Sequence, residues 1–424
     1  MRTSRERHCG HGLAPVLAVF AVMSTVSSGV AQVRCEGGTA DGFPCDRVDL
    51  LAVLTPEQLG AGGDTLLNDV WGWTDPETGK EYAIAGRTNG TAFVDVSDPL
   101  RPRYVGDLPA TAGSEPSQWR DAKVFRDHLF VVAGGPVRHG MQVFDLTGLR
   151  HAPEAREFAP AATYEGIESS HNIAINEETG FAYLVGSDGE GETCGGGSHM
   201  VDVNEPLNPV FAGCFAHLDT GRRGTGYTHD AQCVIYRGPD EDHQGREICA
   251  AGNETAFSFA DVTDKAHPVP LAAASYPGVG YSHQGWFSED HRYFYGNDEL
   301  DGLIRELDGS RVLVFDVSDL EDPVLLDEYF GPTKASTHNL YVRGDRLYMA
   351  NNLGGLLVLD LTDPEAPVAV GSFDTTPSSG DEGGFGGAWS VYPFFGSGTI
   401  LLSSRREGLF LLRLTTDQPS RELR

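Results

Sequence analysis

Lysine is almost missing from this 424-residue chain: Lys80, Lys123, Lys265 and Lys334 are the complete set. With Lys+Arg at 31 against Asp+Glu at 61, the formal net charge is −30. That shortage of positive charge excludes a nucleic-acid binder, which needs a basic face to displace phosphate counterions. Long apolar runs are missing after residue 31, so no membrane span is expected in the body of the chain. The sequence also lacks Gly-x-Ser-x-Gly, a phosphate loop, His-Glu-x-x-His and a dinucleotide fingerprint, so none of those local signatures supplies a reaction. What is abundant is glycine (53) and proline (24), which predicts dense turns and few long helices.

The first residues read as an export leader. Arg2, Arg5 and Arg7 precede the apolar stretch Leu13 to Val26, and Gly29-Val30-Ala31 offers a small-x-small cleavage site. The expected boundaries are a signal peptide over 1–31, a disulfide loop over 32–47, a repeat body over 48–416 and a tail over 417–424. Cys9 leaves with the leader, and six cysteines remain. An even count in an exported chain points to disulfides, and fifteen connectivities are open. Pairing of neighbours would join Cys35 to Cys45, Cys194 to Cys214 and Cys233 to Cys249. No Cys-x-x-Cys pair is present, which disfavours a zinc ribbon.

One phrase repeats through the body. Phe93-Val94-Asp95-Val96-Ser97-Asp98-Pro99 returns as Val143-Phe144-Asp145-Leu146-Thr147, Met200-Val201-Asp202-Val203-Asn204, Phe259-Ala260-Asp261-Val262-Thr263, Val314-Phe315-Asp316-Val317-Ser318 and Val358-Leu359-Asp360-Leu361-Thr362. Leu411-Leu412-Arg413-Leu414-Thr415 is a degenerate seventh copy. Apolar β-formers ending in Asp and Ser or Thr predict a strand covered on both faces and closed by a side-chain-capped turn. A second register falls between the copies: Asn68, Arg120, His171, His229, His283, His338 and Trp389, each at the start of another strand. Four short strands in roughly 50 residues is the size of a propeller blade. The fold class is therefore all-β, a seven-bladed β-propeller of four-stranded blades. The last unit stops after its third strand, and Val48 to Leu54 stands alone before the first unit. That segment is expected to complete the last blade and close the ring.

The repeated phrase resembles the LVIVD repeat. Longer strings are similar to the choice-of-anchor B family of exported bacterial proteins: Gly42-Phe43-Pro44-Cys45-Asp46, Tyr227-Thr228-His229-Asp230-Ala231-Gln232-Cys233, Tyr281-Ser282-His283-Gln284-Gly285-Trp286 and Asn297-Asp298-Glu299-Leu300-Asp301. The resemblance implies an extracellular or cell-surface propeller and carries no reaction. Members of that family end in varied sorting signals, whereas Asp417 to Arg424 is a short polar stretch.

Four of the seven innermost positions are histidines from consecutive units. Imidazoles converging on an axis would make His171, His229, His283 and His338 a candidate site for one divalent metal ion. The following residues Asn172, Asp230, Gln284 and Asn339 would be acceptors that set the imidazole tautomers. With a metal, Asp230 or Glu168 would be a base and Arg120 an anion clamp, giving a hydrolase or lyase. The competing reading makes the ring a set of blade-to-blade latches. The propeller is then a binding or scaffold module for a protein, glycan or small ligand at a channel mouth. The oxygen-rich run Asn297 to Asp301 lacks EF-hand spacing and reads as a solvated turn.

Overall fold

The computed structural model describes Met1 and residues 32–305, 307, 309–380 and 383–415. The rest of the expected leader and the tail at 417–424 lie outside the described residues. Seven antiparallel four-stranded blades form a ring, a seven-bladed β-propeller. Their innermost strands are Leu67–Thr74, Arg120–Phe125, Asn172–Asn176, Asp230–Ile235, Ser282–Phe287, Leu340–Arg343 and Ala388–Tyr392. Among the described residues no helix is long and apolar enough to cross a membrane.

The repeated phrase forms the third strand of each blade, and its chemistry is the expected one. Phe93, Val94, Val143, Val201, Phe259, Val314 and Val358 are buried. In six blades the Asp at the strand end accepts the backbone N–H two residues on. The distances are 3.2 Å for Asp95–Ser97, 2.9 Å for Asp145–Thr147, 2.9 Å for Asp202–Asn204, 2.9 Å for Asp261–Thr263, 2.8 Å for Asp316–Ser318 and 2.7 Å for Asp360–Thr362. These Asx turns stop the strand and start the return to the outer edge. Blade seven has Arg413 at that place, and there the partner strand comes from the other end of the chain.

Closure follows the sequence expectation. Val48–Leu54 lies antiparallel to Gly408–Leu414, from Val48 opposite Leu414 to Leu54 opposite Leu409. No single central core exists. Apolar side chains fill the wedges between neighbouring blades: Tyr82, Ile84 and Phe93 of blade one pack with Leu129, Val131 and Phe144 of blade two, and Phe93 stacks on Phe144 at 4.9 Å.

All three neighbour disulfides form: Cys35–Cys45, Cys194–Cys214 and Cys233–Cys249. The segment 32–47 is more than a loop. Phe43–Asp46 adds to the outer edge of blade six beside Val368–Phe373 and carries Thr39–Ala40 with it. The pairing gives Cys45 and Phe43 an apolar seat, since Phe43 lies against Phe373 and Phe410.

Candidate functional site

Each innermost strand begins near the same end of the channel. His171, His229 and His338 stand just before or at the opening of their strands, and His283 sits inside one. An irregular register helps three of the blades: Ser282 faces Asp298 while Gly285 faces Gly296, with similar shifts after Leu67 and Ala388. The extra residue interrupts strict alternation, so a register residue and its successor need not fall on opposite faces.

The four imidazoles come together as a row of mutually tilted rings that ends on an indole. Ring centroids are 4.3 Å apart for His171–His229, 4.2 Å for His229–His283, 4.6 Å for His283–His338 and 4.6 Å for His338–Trp389. His171 Nε2 is 2.7 Å from His229 Nε2. Burial pushes His171 down to about 4 and His338 to about 3, and burial followed by the neighbouring imidazoles drives His229 well below its ordinary value. All three are neutral at pH 7, the form that ligates metals. Neither ring nitrogen of His283 has a hydrogen-bond partner in good geometry, and the residue is fully buried.

Glu299 completes the cluster. Its Oε1 is 3.6 Å from His338 Nε2 and 4.0 Å from His283 Nε2. Burial and then Asp298 push its carboxyl up to about 8. The ligand atoms of His229, His283 and Glu299 lie within 4.8 Å of one another. Sequence reasoning missed Glu299 because it took Asn297 to Asp301 for a solvated turn. In the fold that run is buried: Asp301 holds Arg311 at 2.7 Å, and Asp298 accepts the Tyr276 hydroxyl at 2.8 Å. The signal was present, since four polar residues among the five from Asn297 to Asp301, at the end of the second strand of blade five, should have prompted the question of what they face.

The residues after the histidines do something other than set tautomers. Asp69 accepts Ala122 N–H at 3.4 Å, Asp121 accepts Ile173 N–H at 2.8 Å, and Gln284 accepts Leu340 N–H at 2.5 Å. Asn172 donates to the His229 carbonyl at 2.9 Å, and Asn339 donates to Ser390 Oγ at 3.2 Å. These are the blade-to-blade latches, one register position beyond the histidines. The imidazoles meet backbone carbonyls instead: His229 Nδ1 lies 3.2 Å from the His283 oxygen, and His338 Nδ1 lies 2.5 Å from that of Trp389.

Two cavities open on the axis and share no lining residue. The histidine-end cavity, about 800 Å³, is lined by Arg120, His171, His229, His338, Trp389, Glu299 and rim groups including Tyr227, Tyr281, Arg222 and Arg223. The opposite cavity, about 690 Å³, is aromatic, with Trp71, Trp286, Tyr341 and Tyr392 around Lys123 and Asp230. Asp230 therefore faces the aromatic cavity and not the imidazoles. Burial and then Asp121 push it up to about 7. Glu168 is not brought to the ring either. It sits among Arg138, 3.1 Å away, and the Glu190 N–H, 2.9 Å away. Of the three sequence candidates for reaction chemistry, only Arg120 lines the histidine-end cavity.

Next to Arg120 lies His139, 1% exposed. Burial and then the Arg120 charge push its pKa from 6.5 to about 3. A folded value below the unfolded one contributes stability that is complete above 6.5 and lost as pH falls toward 3. The slope is about 1.4 kcal/mol per pH unit. His139→Gln should therefore gain about 2 kcal/mol on the wild-type chain between pH 6.5 and 5, read from urea unfolding at both values. Parallel curves would show that His139 does not titrate this way.

The LVIVD repeat model matches residues 335–375, which contain most of blade six. No curated protein matches the sequence. Among solved structures, a crystal structure of a protein from Lactobacillus plantarum is similar at 13% identity with a TM-score of 0.49, over 80% of this chain and 88% of that one. The chain is a seven-bladed β-propeller with an LVIVD repeat in its sixth blade.

Proposed function

We propose that this chain is an exported propeller of the choice-of-anchor B type, and that it works as a binding module whose ligand, a small molecule or the end of a protein or glycan, seats in the histidine-end cavity over a divalent metal ion. The observation that carries the reading is the convergence of His229, His283 and Glu299 from blades four and five to within 4.8 Å. His171 and His338 flank them. Three features suit a metal: neutral imidazoles, a partly buried Glu299 carboxyl between two of them, and a His283 whose ring nitrogens have no other hydrogen-bond use. Nitrogen-rich donors with one carboxylate fit zinc, iron, manganese or copper. Three disulfides suit the oxidising setting of an exported protein.

A second reading, a metal-dependent hydrolase or lyase, has one observation in its favour. Glu299 and Arg120 line the same cavity, so a carboxyl group and a cation face the space beside the imidazoles. A bound ion there would supply Lewis-acid polarisation or an acidified water.

The test is elemental analysis of the full chain purified without a histidine tag. The expected result is about one transition-metal ion per chain, the stoichiometry of a single shared site. His229→Ala and His283→Ala should lose it while keeping the β-rich circular dichroism of the parent. A wild-type chain that takes up no ion after exposure to zinc, manganese or iron(II) would refute the metal site.

A further inference from the structure

Arg120 occupies the histidine register in blade two and lines the histidine-end cavity. It is 3% exposed, and its Nε and Nη2 have no hydrogen-bond partner. The charge that acts on it is another cation, Arg87. Elsewhere the chain pairs its buried guanidinium groups: Arg311 with Asp301 at 2.7 Å and Arg87 with Asp107 at 3.1 Å. Sixty-one acidic residues were available to neutralise Arg120, and none makes an ion pair with it among the described residues. A buried unpaired cation is strongly unfavourable for folding, so its retention at a cavity wall calls for a partner that arrives from outside.

The surroundings suit that partner. Arg222 and Arg223 line the same cavity, where Asp188 and Glu254 stand with them. A guanidinium presents its N–H groups as a planar fork that matches a carboxylate, phosphate or sulfate through two parallel bonds. At about 800 Å³ the cavity has the size of a small-molecule site.

We propose that Arg120 is the oxyanion-recognition residue of this cavity, and that the ligand is a small molecule bearing a carboxylate, phosphate or sulfate group. The proposal rests on the ligand-binding reading of the cavity and names the chemistry it selects. Binding of the oxyanion supplies the counter-charge that the fold withholds, and the net negative charge of the chain leaves selection to this local cation.

The probes are sodium acetate, phosphate and sulfate, each added to the full chain in thermal melts at matched ionic strength, with sodium chloride as the reference. At about 100-fold excess over Kd, at least one should raise Tm by about 3 °C. A response to acetate alone assigns a carboxylate ligand, and a response to phosphate or sulfate assigns an ester. Arg120→Met should abolish the response without lowering Tm in chloride, because it removes a charge with no partner. Arg120→Lys should keep a weaker one, since a point charge replaces the fork. The proposal is overturned if no oxyanion stabilises the wild-type chain beyond chloride. It is equally overturned if Arg120→Met keeps the full response, or if that variant melts lower and the parent shows no response. Metal content measured on the same samples separates the two proposals: a chain that holds its ion and ignores all three oxyanions leaves the metal site standing and removes the role of Arg120. A chain that answers to oxyanions without an ion does the reverse.

Discussion

A chain lacking residues 48–54 does not fold to a cooperative, soluble propeller. The segment supplies the fourth strand of blade seven, and among the described residues no other strand pairs with that edge of Gly408–Leu414. Val48, Leu50, Leu51 and Leu54 are all buried, the first two in the cluster that includes Phe410, Leu412 and Leu414 and the other two in the neighbouring one with Leu409 and Leu411. Each such side chain stabilises by roughly 1.5–3 kcal/mol. Their joint loss is comparable to the whole net stability of a folded domain, about 5–15 kcal/mol. The ring would also open, leaving Gly408–Leu414 as an unpaired apolar edge, which favours aggregation. The measurement is size-exclusion chromatography with circular dichroism melts. Leu50→Asp, which keeps the strand length, should lower stability by several kcal/mol through a buried carboxylate alone. A deletion variant that melts cooperatively near the wild-type temperature would show that the ring holds without its clasp.

Lys123→Met is expected to cost about 3–5 kcal/mol at pH 7.5. Lys123 is a cation of the aromatic cavity on the axis. Its Nζ lies 2.6 Å from Asp121 and 4.0 Å from Asp69, and it stands over the Trp71 ring at 4.4 Å. Burial works against its charge, but Asp121 and the nearby acidic groups hold the ammonium above its usual pKa. Burial and then Asp121 push Asp69 up, and the same two causes push Asp230 up to about 7. Removing the ammonium takes away the group that lowers both. A raised carboxyl contributes stability that is present below the unfolded value and is lost as pH rises through the folded one. The variant should therefore be least stable above pH 7 and recover toward pH 5 as Asp69 and Asp230 take up protons. Urea midpoints across that range check it. A loss that is the same at pH 5 and pH 8 would mean that the damage is packing and not charge.

The architecture was legible because the repeat is local. Asp95, Asp145, Asp202, Asp261, Asp316 and Asp360 each cap their own turn with an N–H two residues away, a bond that depends on neighbouring residues alone. Six such copies and an orphan strand are enough to count blades. The histidine ring was legible for the same reason, since equal positions in equal repeats must face one axis. The roles within the ring were harder to read. Asn172, Gln284 and Asn339 were expected to serve the imidazoles and bond the neighbouring blade instead, through partners that only the assembled ring supplies. Asp230 lost its place at the imidazoles because it lines the aromatic cavity at the other end of the axis, and Glu168 through its contacts with Arg138 and the Glu190 N–H.

Strand patterning, turn chemistry, cysteine pairing and the number of blades were properties of the amino-acid sequence, each set by interactions between residues that are close in the chain or related by the repeat. The partners of Glu299, the isolation of Arg120 and the separation of the axis into two cavities were decided only when seven blades met. Each depends on what a neighbouring blade places, or fails to place, beside a buried charge.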